Sequence, residues 1–309
     1  MSKDFIKPAE AAINVPLAVF WSKPFEEPIY QEISQQAAAD PATWTKRLTV
    51  DERLWLVGKV DTMAIFGERV AILDHCGPWV KAAVVSQPTV HNPWGYPGWI
   101  LADQINDNFE YLSEQSTHPE AAISLPQAKL FKDAACTKAL GSLSYQTRLP
   151  VLSESENHLQ VRLPDGQVGY ISRSDAKKTA GLGFSRGEIT NEARQFLDLH
   201  YLWGGTSSYG FDCSGFMFRL YQSQGITIPR DASEQALGGM PVSKEDLRPG
   251  DLLFFAYKDQ PGKIHHVGMF IGEGLMIHSP NSKSAIRIES FETGVYGEEF
   301  WGGRGGLGK

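Results

Sequence analysis

The last third of the chain carries a helical pattern of apolar residues directly after a turn. Phe216, Met217 and Leu220 fall on one face at a spacing of three to four residues, which predicts an amphipathic helix. Asp212 stands where an N-cap is expected, and Gly225 stands where a helix-ending C′ glycine is expected. The pattern therefore predicts a helix that begins after Asp212 and ends before Gly225.

Strand-like segments dominate the chain after this helix. An earlier helix is predicted over residues 192–199. Beyond the turn at Arg248-Pro249-Gly250, apolar and alternating runs predict four strands, over residues 251–257, 265–271, 275–279 and 285–291. Helices followed by strands are typical of an α+β domain with an antiparallel sheet.

The first 180 residues contain short strands separated by turns. They concentrate in residues 54–100 and 129–171, which predicts two small β-barrels. Residues 95–100 and 166–171 end these stretches with a similar arrangement of glycine and aromatic residues. This similarity indicates an internal repeat.

Composition along the chain indicates where these parts begin and end. Residues 31–39 predict a helical insertion that Pro41 ends, residues 103–126 predict a polar linker, and residues 181–187 predict a further boundary. We therefore predict three domains, at residues 1–120, 121–182 and 183–309.

Charge and cysteine content exclude several classes of function. The formal net charge is −7 and no basic face is evident, which argues against nucleic-acid binding and favours a small soluble substrate over an anionic polymer. The three cysteines are widely spaced and odd in number, so they do not form a disulfide framework. No pair of cysteines or histidines has the spacing of a structural zinc site.

The apolar residues 11–21 are the candidate signal sequence. They include Asn14 and Pro16 and lack a basic leader and a small-residue cleavage site, so we expect an intact N-terminus. No apolar run approaches the roughly 18 residues that a membrane span needs. We expect a cytoplasmic protein with no membrane partner; the alternative is an exported protein whose signal sequence was removed. The oligomeric state cannot be read from the sequence.

Cys213 is the candidate nucleophile because it lies at the predicted helix start. The free N–H groups and the positive end of the helix dipole favour a thiolate there, and the same N–H groups can hold an oxyanion. Ser214 and Gly215 are small and leave room for a substrate carbonyl. The alternative is a buried structural cysteine, the interpretation that we favour for Cys76 and Cys136.

Two histidines in the following hairpin are candidate partners of this cysteine. If Gly272-Glu273-Gly274 is a three-residue loop, His266 and His278 share one face of the sheet as diagonal neighbours. A two-residue loop would place them on opposite faces. On the first geometry His266 faces the sulfur and His278 orients the His266 ring. The alternatives are ordinary core or surface histidines, or a metal site with His265 and Cys213, which is disfavoured because adjacent strand residues point apart.

Four motifs occur in order between residues 187 and 309. They are Tyr201-Leu202-Trp203-Gly204-Gly205, Phe211-Asp212-Cys213-Ser214-Gly215, Leu247-Arg248-Pro249-Gly250-Asp251-Leu252-Leu253-Phe254-Phe255 and His266-Val267-Gly268-Met269-Phe270-Ile271-Gly272. Together they make this part of the chain resemble the NlpC family of cell-wall cysteine peptidases. The resemblance implies a papain-like domain, with helices packed on an antiparallel sheet, preceded by two small SH3-like β-barrels. It also implies that Cys213 is the nucleophile, that His266 is the base and that His278 orients it.

The three-domain order resembles that of γ-D-glutamyl-L-diamino acid endopeptidases, which process freed murein peptides. The resemblance implies hydrolysis of the bond between D-Glu and lysine or diaminopimelate, release of L-Ala-γ-D-Glu, and no metal or organic cofactor. In such relatives the first SH3-like domain closes one end of the cleft, where a tyrosine and an acidic side chain hold the free N-terminal amine. Tyr96 and Asp61 match those two positions.

The matched motifs suggest further substrate-binding residues: Tyr201, Trp203, Asp212 and Ser214. Tyr201 is expected to assist the oxyanion, and Asp212 either caps the helix or faces the substrate. The family's Arg-x-Ser pattern is displaced by one position in Pro229-Arg230-Asp231-Ala232-Ser233, so Ser233 is given no role. Arg230 and Asp231 are expected to cap the following helix.

Two other functions use the same motifs. The first is a non-catalytic peptidoglycan-binding module, which the complete cysteine and histidine set and the negative charge disfavour. The second is an acyltransferase that passes the thioester to an acceptor other than water, and the sequence does not distinguish it from a hydrolase.

Overall fold

A computed structural model describes residues 7–307 of the protein. Two β-sheets of the same design make up its first part. The strands of the first sheet are β1 Glu10–Ile13, β2 Leu17–Trp21, β3 Val60–Ile65, β4 Arg69–Cys76, β5 Trp79–Val84, β6 Tyr96–Leu101 and β7 Ile105–Asn106. The strands of the second sheet are β8 Glu120–Ile123, β9 Gln127–Phe131, β10 Ala139–Ser144, β11 Arg148–Glu154, β12 His158–Arg162, β13 Val168–Ser172 and β14 Ala176–Lys178. The spatial order is β3-β2-β6-β5-β4-β1-β7 in the first sheet and β10-β9-β13-β12-β11-β8-β14 in the second, which is the same order. Both sheets also open on the residues Glu-Ala-Ala-Ile, in β1 and β8, so the internal repeat extends over two whole sheets.

A helical segment interrupts the first sheet between β2 and β3. It contains α1 Pro28–Ala39, α2 Pro41–Arg47 and α3 Val50–Trp55. The predicted helix over residues 31–39 lies within α1. The strand predicted from residue 54 is wrong at its start, because a capping box between Thr49 and Glu52 makes this stretch helical.

The polar segment over residues 103–126, which was expected to include a linker, is mostly helix and strand. This segment contains β7, the helix α4 Phe109–Thr117 and β8. Tyr111 of α4 is fully buried, and its hydroxyl donates to the carbonyl of Gly67 at 2.8 Å. The segment is therefore packed against the first sheet. The division into domains at residues 1–120, 121–182 and 183–309 stays a prediction.

The C-terminal part packs helices on an antiparallel sheet. Its helices are α5 Arg186–Arg194, α6 Cys213–Ser223, α7 Ala232–Gln235 and α8 Gly294–Glu299. Its strands are β15 Thr206–Ser207, β16 Gly210–Phe211, β17 Met240–Val242, β18 Leu252–Ala256, β19 Ile264–Gly272, β20 Leu275–His278, β21 Arg287–Ser290 and β22 Phe300–Gly305. Six of them form a sheet in the order β17-β22-β18-β19-β20-β21. The prediction of an α+β fold is confirmed.

Side-chain caps mark the starts of α5 and α6. Helix α6 lies where the sequence predicts it, since Asp212 is its N-cap and Gly225 follows it with a φ of +75°. The helix predicted over residues 192–199 is displaced, because Ser185 caps α5 by accepting from the Glu188 N–H at 3.3 Å. None of the helices between residues 7 and 307 has the length and the apolar character needed to cross a membrane.

Two buried contacts hold the first sheet against the C-terminal part. Arg219 of α6 is fully buried, and its Nη2 donates to the Glu68 carboxylate at 2.8 Å. Trp203 Nε1 donates to the carbonyl of Val60 in β3, also at 2.8 Å. The first sheet therefore forms one wall of the cleft in which the candidate site lies.

Candidate active site

Cys213 is the first residue of α6 and lies in a cleft of roughly 430 Å³ between the first sheet and the C-terminal part. The Asp212 carboxylate caps the helix, because its Oδ1 accepts from the Gly215 N–H at 2.7 Å. The Cys213 residue is only 9% exposed, yet it contributes to the cleft lining. Cys213 is therefore mostly packed by its surroundings and borders the cleft.

The expectation of a resting thiolate is wrong. Burial, reinforced by the neighbouring Asp212 carboxylate, raises the pKa of the Cys213 thiol to about 12. The backbone amides of Val267 and Ser214 favour the thiolate and lower this pKa, but they do not offset the burial. A nucleophilic Cys213 thus needs a base to take its proton at the moment of attack.

The hairpin β19–β20 brings His266 and His278 together by a route that differs from the predicted one. Gly272 pairs with Leu275, so the turn has two residues, Glu273 and Gly274, both with positive φ. A bulge next to this turn shifts the register by one residue. Farther along, Phe270 pairs with Met276, which is the register that a three-residue loop would give. The two histidines therefore share one face of the sheet.

The two imidazoles are directly hydrogen bonded. His266 Nε2 and His278 Nδ1 lie 2.7 Å apart, and His278 Nε2 lies 2.6 Å from Glu289 Oε1. Both histidines are buried, at 4% and 0% exposure, and neither lines the cleft formed by the described residues. The Val267 amide, next to His266, acts on the Cys213 sulfur, so this part of β19 adjoins the start of α6.

Burial keeps this pair of histidines neutral. It lowers the pKa of His266 well below the usual 6.5, and the charges of His278, His265 and Arg287 act in the same direction. Burial also lowers the pKa of His278, against the raising effect of Glu289. A neutral imidazole is the form that can accept a proton from a thiol.

His265 lies outside this arrangement. Its Nε2 is 3.0 Å from Glu299 Oε2, and its ring stacks on Tyr257. Among residues 7–307 no group of three or more His, Cys, Asp or Glu side chains has the arrangement of a metal site.

The part of the cleft that the first sheet lines is acidic. Asp61 and Tyr96 of the first sheet line the cleft together with Asp231, and the Tyr96 hydroxyl donates to Asp231 Oδ2 at 2.9 Å. Burial, followed by the charge of Asp231, raises the pKa of Asp61 to about 6, although Lys81 opposes the shift. The pKa of Asp231 is also raised, mainly by burial. Crowded carboxylates of this kind favour a cationic ligand.

Arg230 is a buried residue whose position the sequence did not reveal. Its Nη2 donates to Asp212 Oδ2 at 2.6 Å, and its Nη1 donates to Ser214 Oγ at 2.9 Å. It therefore holds the Asp212 side chain in its capping position and occupies the Ser214 hydroxyl. The expected cap by Asp231 is wrong, since among the described residues its carboxylate bonds to Tyr96 and does not cap α7.

The remaining predicted residues, Tyr201 and Trp203, also line the cleft. Tyr201 is buried, and burial, with the charge of Asp212 in the same direction, raises the pKa of its phenol, which stays protonated. A protonated phenol near the sulfur can donate to an oxyanion. Trp203 bonds to Val60, so its position depends on the first sheet. Ser233, which was given no role, also lines the cleft.

Comparisons with known proteins agree with this arrangement. The profile of the NlpC/P60 family matches residues 198–305, and that of the YKFC SH3b2 domain matches residues 123–178. A Bacillus cereus protein named gamma-D-glutamyl-L-lysine dipeptidyl-peptidase is 38% identical, over 96% of this chain and 91% of its own length. A Bacillus subtilis protein of the same name is 35% identical, over 92% of this chain and 94% of its own length. The crystal structure of an NlpC/P60 family protein from Bacillus cereus superposes with a TM-score of 0.90 at 39% identity, over 96% of this chain and 99% of that one.

Proposed function

We propose that this chain, which belongs to the NlpC/P60 family of cysteine peptidases, hydrolyses the bond between γ-D-glutamate and a diamino acid in small murein peptides with a free N-terminal L-Ala. Two relatives similar over more than nine-tenths of this chain are named gamma-D-glutamyl-L-lysine dipeptidyl-peptidase. The observation that carries the proposal is that Cys213 and the acidic residues Asp61 and Asp231 line the same cleft.

The chemistry begins with a proton transfer. His266 takes the proton of the Cys213 thiol, and the sulfur attacks the γ-carbonyl carbon of D-Glu. The N–H groups at the start of α6, with the Tyr201 hydroxyl, stabilise the oxyanion. His266 then gives its proton to the leaving amine of the diamino acid, and the resulting thioester links L-Ala-γ-D-Glu to Cys213. Water, activated by His266, releases this dipeptide and restores the thiol.

The acidic end of the cleft sets which peptides react. The ammonium group of L-Ala pairs with Asp61 and Asp231, while Tyr96 holds the Asp231 carboxylate in place. Arg230 is already paired with Asp212 and does not neutralise this end fully. A peptide still joined to glycan has no ammonium at this position, and its binding would leave the half-buried Asp61 and Asp231 carboxylates without a cation. The enzyme therefore acts on peptides that have been freed from the glycan.

The test compares L-Ala-γ-D-Glu-L-Lys with its N-acetylated form, with products analysed by mass spectrometry. We expect the free peptide to yield L-Ala-γ-D-Glu and lysine, and the acetylated peptide to be cleaved at least tenfold more slowly, as loss of a charge-assisted pair implies. Cys213→Ala is the inactive control. Equal rates for the two peptides would refute the amine requirement, and products carrying a transferred dipeptide would indicate an acyltransferase. The same assay on a peptide with diaminopimelate in place of lysine shows which diamino acid the enzyme prefers.

The proposed location is the cytoplasm, where freed wall peptides are recycled. Cys76 and Cys136 carry free thiols in the described part of the chain, which suits a reducing compartment. Fractionation of cells that produce the full-length protein tests this proposal, and recovery outside the cytoplasm would refute it.

A further inference from the structure

Glu289 lies beyond the histidine pair, in a position that the four motifs do not include. It belongs to β21, which pairs with β20 so that Met276 is opposite Glu289 and His278 is opposite Arg287. Glu289 is thus a diagonal neighbour of His278 on the same face of the sheet. Its Oε1 lies 2.6 Å from His278 Nε2. The three side chains form a continuous chain of hydrogen bonds, from His266 through His278 to Glu289.

We infer that Glu289 is a positioning residue, which fixes the protons of both histidines so that Nδ1 of His266 is free to take the proton of Cys213. The inference rests on the proposed function, because it assigns a task within that reaction. It concerns which atom donates in each of the two hydrogen bonds, and the chemistry of His266, His278 and Glu289 determines this.

The direction follows from what each group can donate. An ionised carboxylate only accepts hydrogen bonds, so the proton between His278 and Glu289 belongs to His278 Nε2. A neutral imidazole has one proton, which leaves His278 Nδ1 as an acceptor. His266 must therefore donate from its Nε2, and its Nδ1 carries the lone pair. One carboxylate in this way determines the tautomers of two histidines.

Glu289 is well suited to stay ionised. Arg287 Nε donates to the same Oε1 atom at 2.7 Å. The hydrogen bond from His278, followed by that from Arg287, lowers the pKa of Glu289 to about 2 despite its partial burial. Two other titratable side chains face the pair. Tyr296 of α8 contacts both imidazole rings, with ring centroids 5.6 Å from His266 and 5.1 Å from His278, and the His265 ring lies 6.4 Å from that of His266. The phenol of Tyr296 has a pKa raised to about 12 by burial, so it is neutral. Glu299 bonds to His265, whereas Glu289 is the carboxylate hydrogen bonded to the pair itself.

This anion also acts when His266 becomes charged. Once His266 has taken the thiol proton, the positive charge is buried and needs a negative partner. The chain of hydrogen bonds leads to Glu289, whose charge stabilises the imidazolium form. Replacing Glu289 with glutamine keeps the shape but removes the charge, and the amide NH₂ group can then donate to His278 and favour the opposite tautomer.

The experiment measures Glu289→Gln in the full-length protein, with Glu289→Asp as the conservative variant. Glu292→Gln is the matched control, because it neutralises a carboxylate near the end of the same strand that pairs with Lys244 and not with the histidines. The readouts are kcat and KM for L-Ala-γ-D-Glu-L-Lys from pH 5 to 9, the melting temperature, and the rate at which iodoacetamide alkylates Cys213. Peptide mass mapping separates alkylation of Cys213 from that of Cys76 and Cys136.

For Glu289→Gln we expect kcat to fall roughly 10- to 100-fold with little change in KM, as for other residues that orient a reactive histidine. The acid limb of kcat should move to lower pH, because the imidazolium loses its stabilising charge. Alkylation of Cys213 near pH 7 should slow for the same reason. Glu289→Asp should recover part of the rate, and Glu292→Gln should behave as the wild type.

Two results would overturn the inference. One is a Glu289→Gln variant with kcat within twofold of the wild type. The other is a loss of rate that only follows a lowered melting temperature, with the acid limb unchanged, which is what a purely structural ion pair predicts. The alkylation rate needs no peptide substrate. If the wild type fails to cleave the peptide while Glu289→Gln still slows alkylation, the proposed substrate is wrong and the role of Glu289 stands.

Discussion

Asp61→Asn is expected to stabilise the protein and to weaken substrate binding at the same time. Asp61 lies at the acidic end of the cleft, where burial and the charge of Asp231 raise its pKa from 3.8 to about 6. Between these two pH values the folded protein keeps a proton that the unfolded chain has lost. The free energy of unfolding therefore falls as the pH rises from about 4 to about 6, and it stays lower above pH 6.

The change in the free energy of unfolding follows from the width of this pH window. Each pH unit is worth about 1.4 kcal/mol, so the full window corresponds to roughly 3 kcal/mol. Because Asp61 remains partly exposed to solvent, we discount this to about 1–2 kcal/mol. Asparagine does not titrate, so Asp61→Asn should be more stable than the wild type by this amount at pH 7 and equal to it near pH 4. For the free peptide, KM should rise roughly 10- to 100-fold, since a charge-assisted hydrogen bond to the ammonium is lost.

Urea unfolding at pH 4 and pH 7 and steady-state kinetics at pH 7 provide the measurements. In the wild type, KM should also rise about tenfold between pH 7 and pH 5 as Asp61 is protonated, and the variant should lose this dependence. Asp103→Asn, at an exposed position after β6, is the control for a change of charge in the same sheet. A variant that is less stable than the wild type at pH 7, or a stability difference that is the same at both pH values, would refute the reasoning.

Two further predictions concern the start of α6. Arg230→Met leaves Asp212 as a buried carboxylate without its cation, so the free energy of unfolding should fall by about 3–5 kcal/mol in urea titrations; a loss below about 1 kcal/mol would contradict the role of this pair. Gly215→Ala would bring a Cβ atom within 2.1 Å of the Gly205 carbonyl oxygen, so melting temperature and peptidase activity should both drop. Gly187→Ala in α5, where no atom lies within 4 Å of the added Cβ, is the matched control and should not lower the melting temperature.

Local sequence patterns predicted helix α6, which begins at Cys213. The cap residue, the apolar face and the ending glycine of α6 all lie within 14 residues of sequence, from Asp212 to Gly225, and each follows from backbone chemistry. The shared face of His266 and His278 also followed from the hairpin register. That prediction was right although the turn has two residues instead of the assumed three. The shorter turn and the bulge each shift the register, and the two shifts cancel.

The remainder depends on contacts between distant segments, which local patterns do not reveal. Asp231 meets Tyr96 only because the first sheet docks beside the cleft, 135 residues away in sequence. The neutral Cys213 thiol results from burial by the surrounding fold, whereas the helix start alone favours a thiolate. Glu289 could have been found by pairing the two predicted strands over residues 275–279 and 285–291, had their register been known.

The buried ion pair between Arg219 and Glu68 limits how this protein can be shortened. Removing the first sheet would strip Arg219 of its counter-ion and expose Leu202 and Tyr209, which pack in one apolar cluster with that sheet, so the catalytic part alone should aggregate rather than become a less selective peptidase. Selectivity for short free peptides and the solubility of the catalytic part therefore depend on the same contact between the first sheet and the C-terminal part.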